Sequence, residues 1–318
     1  MPEGKPSLVT PTPPPFALPR YERPREEVVA ALPAQDVFSF QQSAEVIAAS
    51  SLSPGSQDLL RGLLRVGTAR SFPGGGAGIE YGSLLKTAAR PDYLGAHIRE
   101  AADHLREQQT DLLLVPGMSG YPVGSMYALA AHVPALLLKK TRLDLDQLNP
   151  HDYPAGAFII PSYTGEGDVV MHADPASVTD IVATIVRRKL ATQSDAESVE
   201  LELRVAGADD IIDKATMSQA IGESALIVGE AALRQAVARH RARTGDDRPF
   251  VTNVRIVAWV TPIIKGYNHP YELLWKAFRL RPFAGVDVSA VYREPPAIGI
   301  AGIGTFAFAS DDERDGHD

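Results

Sequence analysis

Hydrophobic and polar positions alternate most regularly from residue 91 onward. The stretch DYLGAHIREAADHLREQQ spaces its apolar residues three and four apart, which predicts an amphipathic helix. TDLLLVPG then reads as a short buried strand ending in Pro-Gly, VGSMYALAAH as a helix, and VPALLLKK as a second strand. Strand, turn, helix and strand in that order form a βαβ unit, which implies parallel pairing and a right-handed crossover. Past the polar loop DQLNPHDYPAG come two more strands, AFIIPSY and VVMHA, joined by the turn TGEGD. A helix from Asp174 or Pro175 to about Leu190 and the polar link ATQSDAES lead into the strand VELELRVAGA. DDIIDKATMS opens a long helix ending near His240, NVRIVAWVTPII is a further strand, and KGYNHPYELLWKAFRLRPF is rich in aromatic residues.

The flanks read differently. Residues 1–25 hold too many prolines for a helix or a central strand and predict extended chain. Residues 26–64 have helical spacing interrupted at Pro33 and across 50–55, and the glycine cluster SFPGGGAGIEYG at 71–82 predicts a loop or flap. The chain therefore divides into a tail (1–25), an N-terminal helical hood segment (26–90), an α/β core (91–265), an aromatic-rich C-terminal hood segment (266–310) and an acidic tail (311–318). No internal repeat is visible.

Composition narrows the function classes. A net charge of −8, with adjacent basic residues at Lys139-Lys140 and Arg187-Arg188-Lys189, argues against a broad grip on nucleic acid or an anionic membrane. An anionic substrate must then be held locally. The absence of cysteine excludes disulfides, thiolate metal sites and a cysteine nucleophile, and fits a reducing, cytoplasmic setting. No apolar run reaches membrane-spanning length, and the N-terminus lacks a signal-peptide pattern. His172 with Asp174, and His151 with Asp152, lack the spacing or third partner of a metal site.

Parallel α/β sheets bind ligands in the loops at the carboxyl ends of their strands, and two such loops stand out. Pro116-Gly117-Met118-Ser119-Gly120-Tyr121-Pro122 joins a strand to a helix, and its glycines would let an anion approach backbone N–H groups at the helix start. A tight turn would need the same glycines. The strand VELELRVAGA delivers two adjacent acids, Asp209 and Asp210, with Asp213 close behind. Neighbouring carboxylates repel unless a cation or hydroxyl groups lie between them, so a ribose diol or a divalent metal suits the pair. One Asp is a favoured helix cap, but capping needs one acid and three are present.

VAGADDIIDKATMS resembles the phosphoribosyl diphosphate motif of type I phosphoribosyltransferases, and Asp209-Asp210-Ile211-Ile212-Asp213 is similar to the hypoxanthine-guanine branch. The pattern S-G-x-P at 119–122, with its Ala-rich helix and VPALLLKK, is similar to the xanthine branch. The resemblance covers roughly residues 90–265 and departs from the family at Lys214-Ala215, where Thr-Gly is usual; the helix near 175–190 is extra, and the chain after Ile264 does not align. It implies a parallel-sheet core under a hood formed by the N- and C-terminal segments, a homodimer, and transfer of the phosphoribosyl group to a nitrogen heterocycle with release of pyrophosphate. Asp209 and Asp210 would bind the ribose hydroxyls directly or through Mg2+, and Lys214, Ala215, Thr216, Met217 and Ser218 the 5′-phosphate. Met118, Ser119, Gly120 and Lys139 or Lys140 would hold pyrophosphate, and Ser162-Tyr163-Thr164 would form a flexible loop. Asp213 would be the general base, and Trp259, Lys265, Tyr267, Tyr271 and Trp275 would border the acceptor. Lys214-Ala215 also keeps open a non-catalytic phosphoribosyl diphosphate regulator on the same fold.

Overall fold

The computed structural model describes residues 52–71, 77–80, 82–86, 89–142, 158–161, 168–173, 175–193, 196–288, 290–294, 297–301 and 304–307. Its centre is a sheet in which five strands run parallel. These are β3 (Leu112–Pro116), β4 (Ala135–Arg142), β7 (Val199–Ala208), β9 (Phe250–Ile264) and β10 (Phe283–Asp287), in the order β10-β9-β7-β3-β4. Beyond β4 the sheet continues antiparallel through β6 (Asp168–His172) and β5 (Phe158–Pro161), so the fold is α/β with a mostly parallel sheet. A two-residue strand, β8 (Ile211–Ile212), adds to the end of β9.

The burial pattern of β7 explains its sequence. Its first half alternates, with Leu201 and Leu203 buried and Glu202 and Arg204 less so, because one face is covered there. From Val205 to Ala208 every residue is buried, because helices cover both faces. β9 repeats the pattern, alternating from Phe250 and fully buried from Ala258 to Ile264. One face packs on α1 (Pro54–Val66), α3 (Pro91–Glu107) and α4 (Tyr121–Ala131) through Leu59, Leu94, Ile98 and Val123. The opposite face packs on α5 (Pro175–Ala191), α6 (Thr216–Thr244) and α7 (Pro270–Phe278) through Val182, Ile221, Leu233 and Leu274.

The expected helices and strands from 91 to 264 are present, with three differences around them; the turn TGEGD and the loop DQLNPHDYPAG lie largely outside the described residues. The interruption at 50–55 is in part a helix start: the Ser53 hydroxyl accepts from Ser56 N–H at 3.2 Å, Pro54 takes the first turn, and Glu100 on α3 accepts from Gly55 N–H at 2.8 Å. The flap region contains an antiparallel pair, β1 (Thr68–Ser71) with β2 (Ala77–Glu80), followed by the short helix α2 (Gly82–Leu85). Most consequential, α1 and α2 bury Leu59, Leu60, Leu84 and Leu85 in the same cluster as Ala206 and Val260, and β10 lies beside β9. Residues of the N-terminal segment thus share the core cluster, and the C-terminal segment adds a strand to the sheet. Strands β11 (Ala290–Glu294), β12 (Ala297–Ala301) and β13 (Gly304–Ala307) form a separate antiparallel sheet. Among the described residues no helix is long and apolar enough to cross a membrane.

At the opposite end of the sheet from the strands' carboxyl ends, buried Asp111 takes Lys189 at 2.7 Å, Arg188 at 3.1 Å and the backbone N–H of Arg204 at 3.0 Å. This gives the basic run on α5 a structural partner.

Candidate functional site

Four chain segments meet at the carboxyl edge of the parallel strands. β3 ends in the loop 117–120 before α4, β7 ends at Asp209 and Asp210, β8 leads through Asp213 to α6, and β9 leads through Lys265 to α7. Asp209 N–H donates to Val260 O at 3.2 Å and its Oδ1 accepts from Asp210 N–H at 2.8 Å, so the acid pair is tied to both central strands. The two residues are 8% and 4% exposed. Burial, and next the neighbouring Asp210 charge, push the Asp209 carboxyl well above the usual carboxylate range, while Lys86 acts in the opposite direction. Groups that donate to or neutralise this pair would relieve that penalty.

Loop 117–120 passes directly over the pair. A Cβ at Gly120 would lie 2.7 Å from Pro116 O and 3.1 Å from Asp209 Oδ1, so glycine is needed for close approach rather than for its backbone angles. A Cβ at Gly117 would lie 2.5 Å from Leu138 O, to which the Tyr121 hydroxyl donates at 2.6 Å. The Gly117–Met118 peptide is cis. Met118 is 75% exposed, Ser119 is intermediate, and Lys139 is exposed one residue beyond the point where β4 pairs with Pro116.

At the start of α6, Ala215 adopts a left-handed conformation (φ 60°, ψ 8°) and caps the helix without a side-chain hydrogen bond. Thr216 is exposed, Met217 half-buried and Ser218 buried in the first turn. The amides of this turn lack intrahelical acceptors and carry the positive end of the helix dipole. Lys214 is exposed beside it, and burial is the first cause of its lowered pKa, with Asp213 opposing and Lys265 adding to the shift. Asp213 itself is held by Lys265 at 3.1 Å through Oδ2 and by Asn268 through Oδ1.

The acceptor set is only partly assembled. Lys265 stands next to Asp213, but Trp259 is 1% exposed in the core, its ring over Gly207 of the adjacent strand, and borders no open space at the edge. Tyr271 donates to Asp287 at 2.6 Å, and Trp275 is exposed on α7. The Tyr267 and Lys140 side chains, and Ser162, Tyr163 and Thr164, lie outside the described residues. Sequence reading missed Lys86, whose ammonium lies 3.4 Å from Asp210 Oδ2, and Asn268. It also missed Tyr127, a buried phenol raised by burial and then by the Asp210 charge, which shares a 2.7 Å hydrogen bond with buried His97. No local motif marks any of these four.

Two adjacent carboxylates offer the hard oxygens that magnesium prefers, though it usually keeps several waters and takes other ligands from substrate phosphate. One of those oxygens, Asp210 Oδ2, already faces the Lys86 ammonium at 3.4 Å. Among the described residues there is no group of three or more acidic, His or Cys side chains that would hold a metal unaided. A cavity of about 490 Å³ lies elsewhere, between the sheet and α5 and α6, lined by residues such as Leu114, Val182, Leu203 and Val228 and, among the described residues, by no titratable group.

No protein-family description and no curated protein matches the chain. Solved structures do. APRTase from Giardia lamblia complexed with 9-deazaadenine is 12% identical over 72% of this chain and 97% of its own, at a TM-score of 0.44. Adenine phosphoribosyltransferase from Trypanosoma brucei, in complex with AMP, pyrophosphate and ribose-5-phosphate, is 14% identical over 75% of this chain and 81% of its own, at 0.43. That from Rhodothermus marinus is 15% identical over 72% and 98%, at 0.42.

Proposed function

We propose that the carboxyl edge binds phosphoribosyl diphosphate and transfers its 5-phosphoribosyl group to a ring nitrogen of a planar heterocycle. The observation that carries this reading is the buried Asp209–Asp210 pair, overlaid by Gly120 and followed by the open N-terminus of α6. A ribose diol supplies hydroxyl donors to two carboxylates whose mutual repulsion needs them. The acceptor class is that of the hypoxanthine-guanine and xanthine branches that residues 209–213 and 119–122 resemble.

In the proposed reaction the bond from C1 to the pyrophosphate oxygen breaks as the bond from C1 to the acceptor nitrogen forms. Positive charge develops on the ribose ring, and the acid pair beneath it favours that charge. The N–H groups of loop 117–120, with Lys139 or Lys140, take the leaving pyrophosphate; the first amides of α6 and Lys214 take the 5′-phosphate. The acceptor's proton passes to Asp213, whose carboxylate keeps lone pairs beyond those that take Lys265 and Asn268. Lys265 and Tyr271 would border the acceptor, with Trp259 left in the core. Where magnesium accompanies the diphosphate, phosphate oxygens and water would supply most of its ligands beside the acid pair, and it would screen the phosphate charge.

One observation favours a second reading, a regulator that binds the same ligand without transfer: both oxygens of Asp213 are engaged. A single experiment separates the two. The protein is incubated with phosphoribosyl diphosphate, magnesium and a panel of nucleobases, following pyrophosphate release and thermal unfolding. Ligand at a hundred times its Kd should add about 2.7 kcal/mol of stability. Asp209→Asn with Asp210→Asn should abolish that shift while the protein still folds. A shift without pyrophosphate release identifies the regulator, and an undiminished shift in the double variant refutes both.

A further inference from the structure

Asp210 already carries a cation. The Lys86 ammonium lies 3.4 Å from Asp210 Oδ2, with the lysine side chain 36% exposed and the carboxylate side chain 6% exposed. Lys86 immediately follows α2, whose Leu84 and Leu85 are buried in the core cluster, so the backbone presenting it is anchored. The lysine comes from outside the parallel strands and closes over the acid pair from the N-terminal segment.

A bound divalent ion and this ammonium are poorly compatible. Magnesium sits about 2.0–2.1 Å from its carboxylate oxygen and keeps an octahedral set of ligands, mostly water. An ammonium 3.4 Å from the same oxygen occupies the region of that hydration shell and repels the ion. A sugar diol meets neither obstacle. Its hydroxyls donate to the carboxylates, and the lysine, with three donor hydrogens, can bond a hydroxyl oxygen while keeping Asp210.

We propose that Lys86 is a ligand-selecting residue: it serves as the built-in counter-cation of the acid pair, admitting a diol beside it and disfavouring a divalent metal on Asp210. This rests on the reading of Asp209 and Asp210 as the ligand site. It requires any metal bound directly there to displace the lysine.

The test is an electron paramagnetic resonance titration of the full chain with Mn2+ alone, comparing wild type with Lys86→Met, Lys86→Gln and Lys86→Arg. Circular dichroism confirms the fold of each, and the Gln variant stands in should the Met variant misfold. Both neutral variants are expected to bind Mn2+ at least tenfold more tightly than wild type, with the Arg variant remaining weak because the charge is kept. Equal Mn2+ affinity in wild type and the neutral variants, whether all tight or all undetectable, overturns the proposal. No ribose phosphate is present in this titration. Failure of the wild type to bind phosphoribosyl diphosphate would therefore remove the function proposed above and leave the Mn2+ difference standing.

Discussion

Adding one methyl group at Gly120 and one at Gly95 should move the stability of this protein in opposite directions. At Gly120 the new carbon would fall 2.7 Å from Pro116 O, a backbone atom at the end of β3, and 3.1 Å from the buried Asp209 carboxylate. Neither neighbour can swing aside as a flexible side-chain tip would, so the loop must lift from the strand ends. Such overpacking costs about 1–3 kcal/mol, or roughly 1.5–4.5 °C in Tm for a chain of this length. At Gly95, inside α3, the nearest atom to the new carbon is the tip of Arg99 at 3.5 Å, which can move. There alanine removes the helix penalty of glycine and should add about 0.5–1 kcal/mol. Urea and thermal unfolding of Gly120→Ala and Gly95→Ala measure both, and ligand-induced stabilisation should shrink in the first variant alone. A Gly120→Ala protein as stable as wild type would show that loop 117–120 does not rest on Pro116 and Asp209, and the geometry on which the site is built would fall with it.

Two further outcomes follow from buried and half-buried titratable groups. His97 is fully buried, and burial lowers its pKa from 6.5 to about 4; the unfolded chain therefore takes up a proton between those values while the folded one does not, and about 3 kcal/mol of stability should be lost as pH falls through that window. The difference between wild type and His97→Gln in chemical unfolding from pH 7.5 to 4 should carry that loss, and parallel profiles would refute the assignment. Asp213→Asn should lower turnover by about 10²–10⁴ while phosphoribosyl diphosphate affinity stays within a few-fold; single-turnover kinetics beside equilibrium binding would expose the opposite pattern, in which binding fails and chemistry does not.

The elements that frame the site were legible because their periodicity carries burial. VELELRVAGA changes from alternation to an unbroken apolar run where a helix layer begins to cover the second face, and the acids appear as that run ends. The same logic, applied to AWVTPII, places Trp259 in a strand segment covered on both faces. Assigning it to an acceptor surface followed the chemistry of its ring and neglected the period of its strand. β10 had no comparable signal, since FAGVD is short and contributes little apolar surface, and its place is set by pairing with β9. Lys86 and Asn268 reach the acids from separate segments of the chain, and no local spacing records such a meeting.

Ala215 shows its surroundings overriding the backbone preference of its residue type. Its backbone adopts the left-handed conformation that favours glycine, at a cost of about 1–2 kcal/mol for an L-residue. The surroundings therefore impose the bend. Its side chain is 4% exposed and packs in the cluster that contains Ile212, Ile221 and Trp259, which places the methyl group on the core side of the turn. The amides of the first turn of α6 keep their unpaired donors toward the edge, with Thr216 exposed there and Lys214 adjacent. Positions 214 and 215 thus present a lysine side chain at the exposed surface and a methyl group that faces inward. On the function proposed above, a phosphate here would meet backbone donors with a positive charge beside them.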